Sequence, residues 1–189
     1  MKDLEARLEN TEQQLRLFQR LSRLAVRDLS LPEALQGVVG LVVEFMKCDS
    51  CLVYLLDEDR LVLCASNAAS PDAIGKVSVT LDEGLTGWVA REKRLLAISR
   101  EAYTDPRFKY FKDLPEDTFE AFLSAPVIAR NRVVGVINVQ HRAPHTHTGG
   151  ELEIIATVGE QIGCMLMLAR LEARSIDMTH NAELVLAPK

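Results

Sequence analysis

Four cysteines are the most reactive side chains in this 189-residue chain, and they are Cys48, Cys51, Cys64 and Cys164. The first two form a C-x-x-C pair, a spacing found in redox sites and in halves of zinc sites. No second C-x-x-C pair accompanies them, and the pair lies across a predicted helix end and strand start. We therefore predict buried structural thiols rather than a redox or metal site, because cores accept thiols well.

Three of the four histidines, His141, His145 and His147, crowd into the stretch HRAPHTHTGGE. Imidazole nitrogens grouped in this way could ligate zinc or nickel. The stretch has the composition of a polar loop, and it holds no carboxylate before Glu151. The sequence therefore favours a solvated loop and predicts no metal site.

Aromatic side chains cluster in one segment, although the chain is only 5% aromatic. The cluster consists of Tyr103, Phe108, Tyr110, Phe111, Phe119 and Phe122. Aromatic side chains build pocket walls as readily as cores, so both interpretations stay open. Arg107 and Lys109 lie among them and could meet an anionic ligand, although exposed basic side chains are usually solvated.

The charge balance limits the partners of the chain. It has 22 basic and 27 acidic residues, a net charge of −5, and this gives no basic footprint for nucleic acid. Its first ten residues are rich in charge rather than apolar, and no uninterrupted apolar run reaches the ~18 residues of a membrane span. We expect a cytoplasmic protein that binds neither nucleic acid nor membrane and keeps its cysteines reduced.

An amphipathic helix is predicted over residues 2–27, with two apolar stripes. One stripe is Leu17, Leu21 and Leu24, and the other is a narrow seam of Leu4, Leu8, Leu15 and Phe18. A narrow leucine seam usually packs on a partner helix, so we expect a parallel homodimer through it. The stretch SLPE then forms a capping box, which predicts a second helix over residues 31–47.

Strand patterns follow in two hairpins and two short segments. The first hairpin joins SCLVYLLD to RLVLCASN at Glu58 and Asp59, and the second joins FLSAPVIA to RVVGVINVQ around Asn131. Short strands are predicted at KVSVT and RLLAIS. Both alternating faces of the second hairpin are largely apolar, which indicates a sheet that is covered on both sides.

A long helix closes the pattern, beginning at a second capping box from Thr148 to Glu151. Gly159 and Gly163 lie on one side of this helix. There they would allow close packing either on the sheet of the same domain or on another helix. The helical pattern fades after residue 172. With the terminal helices on one sheet face, residues 81–120 are left to cover the other face, an arrangement in which pockets occur.

The segment VTLDEGLTGWVAREKRLLAIS, with the strands and helix around it, resembles a GAF domain over residues 31–171. The segment DPRFKYFKDLPEDTFEAFLSAPVI is similar to the GAF domain at the N-terminus of nitrogen-type Enzyme I of the phosphotransferase system. The resemblance implies an α+β, PAS-like fold with a central antiparallel sheet, terminal helices on one face and a pocket cover on the other. In its D-E-G-L-x-G element, Gly84 would adopt an unusual backbone conformation, Gly87 would allow close packing, and Asp82 would cap the helix.

The resemblance also implies a function: a non-catalytic sensory domain that binds a small molecule and signals through its terminal helices. We expect the ligand site to include Tyr54, Trp88, Arg107, Phe108, Phe111, Phe122 and Ser124. The sequence names no ligand or cofactor, and it lacks the cyclic-nucleotide pattern and the bilin-attachment cysteine of other GAF branches. It also holds no counterpart of Enzyme I's phosphorylated histidine domain, so an effector domain or a partner protein would read the signal.

Two other functions stay open. One is a GAF-fold enzyme of the free methionine sulfoxide reductase type, although no cysteine falls within residues 81–120. The other is a dimerisation module with a vestigial pocket. The expected organisation is an N-terminal coiled-coil-like helix over residues 1–29, a GAF domain over 30–172 and a tail or linker over 173–189.

Overall fold

The computed structural model describes residues 2–109 and 119–186, with side-chain surroundings as far as residue 172 apart from some positions before residue 11. The helices are α1 (Lys2–Ala25), α2 (Leu31–Met46), α3 (Gly84–Glu92) and α4 (Gly149–Leu186). The strands are β1 (Ser50–Asp57), β2 (Arg60–Ser66), β3 (Ser78–Thr80), β4 (Leu96–Ile98), β5 (Ala121–Ala129) and β6 (Arg132–His141). Two short 3₁₀ turns, Pro71–Ala73 and Ala102–Thr104, lie in the connections.

All six strands form one sheet in the order β3-β2-β1-β6-β5-β4, with antiparallel neighbours. The two predicted hairpins are adjacent, because β1 pairs with β6, and Tyr54 lies opposite Val136. Glu58 and Asn131 have positive φ in the two hairpin turns, as tight reversals require. This arrangement confirms the predicted α+β fold.

One face of the sheet carries the helices. Helices α2 and α4 pack on the strands, while α1 packs on α2 and α4. Leu17 and Leu21 of α1 are fully buried in this layer, together with Val38 of α2 and Ile162 of α4. The C-terminal half of α1 is thus part of the core, and the domain boundaries at residues 29 and 172 stay predictions.

Local sequence signals explain where the helices begin. Before α2, the Ser30 amide and hydroxyl both donate to Glu33 Oε2, at 2.9 and 2.6 Å. Before α4, the Thr148 amide donates to Glu151 Oε2 at 2.7 Å, and the Glu151 amide donates to Thr148 Oγ1 at 3.2 Å. Both predicted capping boxes are confirmed.

The ends of several elements differ from the prediction. Strands β3 and β4 have three residues each, and α1 ends at Ala25 rather than at residue 27. Helix α4 continues to Leu186, beyond the point at which its helical pattern fades. An established helix can continue through weakly patterned residues, because each added residue gains a hydrogen bond without a new nucleation step.

Gly159 and Gly163 of α4 face β5. A Cβ atom at Gly163 would clash with the carbonyl oxygen of Ile128, and one at Gly159 would lie 3.0 Å from that of Pro126. These glycines allow α4 to lie directly on its own sheet, as one of the two interpretations predicts. The other interpretation, a second helix docked on them, is wrong.

The segment Gly149–Glu172 of α4 is long and apolar enough to cross a membrane, by length and composition alone. The segment includes Glu153 and Glu160, so it is not the uninterrupted apolar run that the sequence analysis excluded. Core helices of soluble proteins pass the same test, and α4 buries its apolar face against β5 and α2. The observation is weak evidence for a membrane span.

Candidate functional site

The sheet face opposite the helices, which we name the cover face, carries α3 and the residues around it. Tyr54 and Trp88 belong to one apolar cluster there, together with Val136. Phe122 and Phe108 belong to a second cluster, together with Leu85. Side chains from both sheet hairpins and from α3 therefore meet on this face.

The D-E-G-L-x-G element turns the chain from β3 into α3. Gly84 has φ +68°, in the left-handed region that favours glycine. A Cβ atom at Gly87 would clash with the carbonyl oxygen of Thr80 and would lie 2.9 Å from that of Leu81. Both glycines therefore have the backbone roles that the resemblance implies.

Asp82 does not cap α3, so that expectation is wrong. The N-cap residue is Glu83, which makes no side-chain capping bond. Its carboxylate instead accepts the Thr80 amide at 2.9 Å and pairs with Lys109 Nζ at 3.0 Å, and the Thr80 bond is the largest cause of its lowered pKa. Asp82 pairs with Arg91 at 2.8 Å, because its carboxylate points along the helix surface.

Arg107 lies at the edge of the cover face over Trp88. Its guanidinium carbon is 4.7 Å from the centre of the indole ring, within cation–π range. The same guanidinium donates to both oxygens of Asp105, at 2.9 and 2.7 Å. These bonds lower the pKa of Asp105 and raise that of Arg107. Arg107 is therefore held in a definite position against Trp88.

A buried polar chain crosses the cover face. The Ser124 hydroxyl donates to Asn138 Oδ1 at 2.6 Å, and Asn138 Nδ2 donates to Thr86 Oγ1 at 2.8 Å. All three side chains are buried. We name Ser124, Asn138 and Thr86 the polar trio.

Sequence reasoning found Ser124 but missed Asn138 and Thr86. The available signal was Asn138 itself, a polar residue in the apolar strand RVVGVINVQH. A buried amide must find hydrogen-bond partners, and that requirement points to polar residues on neighbouring elements.

Six of the seven predicted ligand-site residues lie on or at the edge of this face: Tyr54, Trp88, Arg107, Phe108, Phe122 and Ser124. Burial raises the pKa of Tyr54, so its phenol stays protonated at neutral pH. The seventh, Phe111, lies outside the described residues, as does Tyr110 of the aromatic cluster. Because residues 110–118 of the cover are also not described, the pocket and its ligand role stay predictions.

The cysteines lie away from the cover face. Cys48 and Cys51 are buried in the core under the helices, and Cys64 packs against the same core. Burial raises the pKa of Cys48 to about 12 and also raises those of Cys51 and Cys64. Cys164 is exposed on α4. The prediction of buried structural thiols for the C-x-x-C pair is confirmed.

His141, His145 and His147, which we name the histidine cluster, do not form a solvated loop, so that expectation is wrong. His141 is only 6% exposed at the end of β6, and the other two are half-buried. The His141 and His145 rings stack with centroids 4.2 Å apart, and the His147 ring lies 4.9 Å from that of His145. The loop folds back on the strand because the His145 amide donates to the Ser99 carbonyl at 2.9 Å.

Electrostatics around the histidine cluster favour neutral rings. Burial is the main cause that lowers the pKa of His141, and it lowers that of His147 to about 4. Glu151 Oε1 lies 2.7 Å from His145 Nε2. The cluster thus holds two neutral imidazoles beside one that a carboxylate orients.

Comparison with known families identifies the class of this protein. Residues 30–166 match the family model described as GAF domain. The chain belongs to the GAF domain family, and this agrees with the six-stranded antiparallel sheet and four helices of its described residues.

Particular relatives come from phosphotransferase proteins. The chain is 30% identical over 145 residues to an Escherichia coli K12 protein described as "Phosphoenolpyruvate-dependent phosphotransferase system", covering 76% of this chain and 19% of that protein. It therefore spans about a fifth of that relative's length.

Two solved GAF domains resemble the chain in three dimensions. The GAF domain of an Acinetobacter phosphoenolpyruvate-protein phosphotransferase is 31% identical with a TM-score of 0.76, covering 84% of this chain and 95% of that one. The one from Coxiella burnetii is 22% identical with a TM-score of 0.80, covering 86% and 98%. A free methionine-R-sulfoxide reductase from Neisseria meningitidis, at 14% identity and a TM-score of 0.68, shares the fold alone.

Proposed function

We propose that this chain is a non-catalytic sensory domain that binds a small polar molecule on the cover face and signals as a homodimer. The polar trio carries the proposal. It places a hydroxyl, an amide and a second hydroxyl in a buried row on the same, otherwise apolar face as Tyr54 and Trp88. A few placed polar groups within an apolar lining are typical of small-molecule sites.

Hydrogen-bond chemistry favours a ligand with an acceptor group. Thr86 Oγ1 accepts from Asn138, and a hydroxyl also carries a donor for an acceptor atom beyond it. Tyr54 keeps its phenolic proton because burial raises its pKa. Arg107 adds a positive charge at the edge of the face, where Asp105 and Trp88 hold it in place.

Strand β5 offers a path for the signal. Phe122 and Ser124 face the cover, while the alternating residues Leu123 and Ala125 face the helices. The carbonyl of Ile128 touches α4 at Gly163. A ligand that shifts β5 would therefore move α4, because close-packed elements transmit displacements rather than absorb them.

The relatives suggest where the signal goes. The two curated relatives are phosphotransferase proteins much longer than this chain. We propose that the domain acts in the cytoplasm and that an effector domain or a partner protein of such a system reads its state.

Trp88 is the single tryptophan of the chain and provides a direct test. We would titrate the full chain with amino acids, organic acids and small phosphate esters, following Trp88 fluorescence and thermal stability. A ligand should change both signals, and Thr86→Val should weaken its binding about 10-fold or more, since one lost hydrogen bond costs about 1.5 kcal/mol or more. The matched control is Thr157→Val on α4, a half-buried residue whose hydroxyl donates to the Glu153 carbonyl.

Two outcomes would contradict the proposal. If native mass spectrometry finds no retained molecule and no compound in the panel shifts stability, the dimerisation module with a vestigial pocket is favoured. If the chain reduces free methionine sulfoxide with a thiol reductant, it is an enzyme. The buried Cys48 and Cys51, whose thiol pKa values are raised, argue against that reaction.

A further inference from the structure

The histidine cluster has the geometry of a metal site. One ring nitrogen from each of His141, His145 and His147 lies within 4.8 Å of the other two. Three imidazoles that bind one zinc ion at about 2.0–2.1 Å have nitrogens roughly 3.4 Å apart. Small ring rotations would therefore bring the three nitrogens around one ion.

Some ring nitrogens of the histidine cluster lack a hydrogen-bond partner among the described residues, which indicates that a water molecule or an ion belongs beside them. His141 Nε2 and both ring nitrogens of His147 are buried and have no hydrogen-bond partner within the described part of the chain. His141 is also 94% buried, since only 6% of it is exposed. Buried polar atoms are nearly always paired, so each such atom calls for a missing water or ion. Here the three such nitrogens belong to the rings of His141 and His147, whose centroids are 5.6 Å apart.

The surrounding chain holds the cluster in place from both sides. After His141, the Arg142 amide donates to Asp49 Oδ2 at 2.7 Å, and the His145 amide donates to the Ser99 carbonyl. On the other side, Glu151 contacts His145 Nε2 while its second oxygen accepts the Thr148 amide and hydroxyl. A carboxylate in this position orients an imidazole and makes it a stronger ligand, as in many zinc sites.

We infer that His141, His145 and His147 bind one divalent transition-metal ion of the zinc class, with Glu151 as the residue that positions His145. Three imidazoles suit zinc and, in the same class, nickel, copper or cobalt. They leave a fourth coordination position for water or for a small ligand atom. The site lies at the junction of β6 and α4, apart from the polar trio, so it is independent of the proposed ligand on the cover face.

The test uses the full chain after a chelator has removed any metal and has itself been washed away. Zinc binding would be measured by competition with a coloured chelator and by metal analysis. We expect one zinc ion per chain with a dissociation constant below about 1 µM. Cobalt in place of zinc should give the visible spectrum of a tetrahedral nitrogen-ligated ion.

Variants separate a built site from chance binding. His145→Gln and His147→Gln should weaken zinc binding at least about 100-fold, since each removes one of three ligands. Glu151→Gln should weaken it about 10- to 100-fold while one zinc ion per chain is kept. The matched control is His180→Gln, which changes the fourth histidine of the chain and should leave affinity unchanged.

Circular dichroism would show whether each metal-free variant is folded. If His145→Gln unfolds the chain, the loop variant His147→Gln still tests the site. Zinc binding weaker than about 100 µM in the wild type, or equal binding in wild type and His147→Gln, would overturn the inference.

Discussion

The hydroxyl of Ser124 donates to the amide oxygen of Asn138 at 2.6 Å, across two strands in which these residues lie directly opposite each other. The amide nitrogen of Asn138 in turn donates to the hydroxyl of Thr86 on α3. Helix α3 is thereby tied to strands β5 and β6 by polar contacts as well as by apolar packing. Because the trio is buried, its hydrogen bonds are not exchanged with water, so its disruption has a measurable effect.

Replacing Asn138 by Ala should lower the free energy of unfolding by about 2–4 kcal/mol, because two buried hydroxyls lose their partner. Urea denaturation measures this change. Thr86→Val alone should cost less, and the double variant should cost less than the sum of the two, since both remove the same bond. If the stability losses of the two single variants add up to that of the double variant, Asn138 and Thr86 are not coupled. Thr157→Val on α4 is the control, because it also removes a threonine hydroxyl but lies outside the trio.

Replacing Gly87 by Ala should destabilise the protein by about 1–3 kcal/mol, because the added methyl would meet the carbonyl oxygens of Thr80 and Leu81. Gly40→Ala is the matched control at an exposed position of α2, where an added Cβ meets nothing within 4 Å. That change should stabilise by roughly 0.5–1 kcal/mol, the helix preference of alanine over glycine. Thermal unfolding measures the stability of both variants. Equal changes in stability would show that α3 does not need to lie close to the backbone of Thr80 and Leu81.

The leucine seam of α1 should be the dimer interface. Leu4, Leu8 and Leu15 are 71%, 60% and 56% exposed, whereas Leu17 and Leu21 on the neighbouring stripe are buried. Leu8→Glu with Leu15→Glu should weaken dimerisation at least about 100-fold, since each protomer loses two buried leucines at ~1.5–3 kcal/mol apiece. Analytical sedimentation at micromolar concentration measures the association state of the variant and of the wild type.

The control for the seam is Gln13→Glu with Arg16→Gln, which changes the net charge by the same amount on the side of α1 that lines a cleft against α2. That pair should leave the association state unchanged. A wild-type chain that sediments as a monomer at micromolar concentration would exclude the seam as an interface.

Thiol reactivity should follow burial. In the native protein one cysteine, the exposed Cys164, should react within minutes with an aromatic disulfide reagent, and Cys164→Ser should abolish that phase. Cys48 and Cys51 should react only on unfolding, because burial raises their pKa and blocks access. A fast phase that survives in Cys164→Ser would reveal a reactive thiol elsewhere and would reopen the enzyme alternative.

The helices and hairpins were predictable from the sequence because their signals are local. Ser30 with Glu33 and Thr148 with Glu151 cap the helices in the way that their three-residue spacing predicts. Alternating apolar residues indicated a sheet covered on both faces, because side chains alternate along a strand. Local spacing did not predict the cap of α3, since the direction of the Glu83 carboxylate depends on Thr80 and on Lys109, which lies 26 residues further along.

The sequence by itself therefore determined the elements, their approximate ends and the family resemblance, all of which depend on residues close together in the chain. The tertiary structure decided which polar side chains meet. Thr86 and Asn138 are 52 residues apart in the chain, yet they form one hydrogen bond. His141 and His145 stack because the loop folds back onto Ser99, a contact that spans 46 residues and has no local sequence pattern. Such contacts follow from strand order and backbone path, which the packing of the whole core selects.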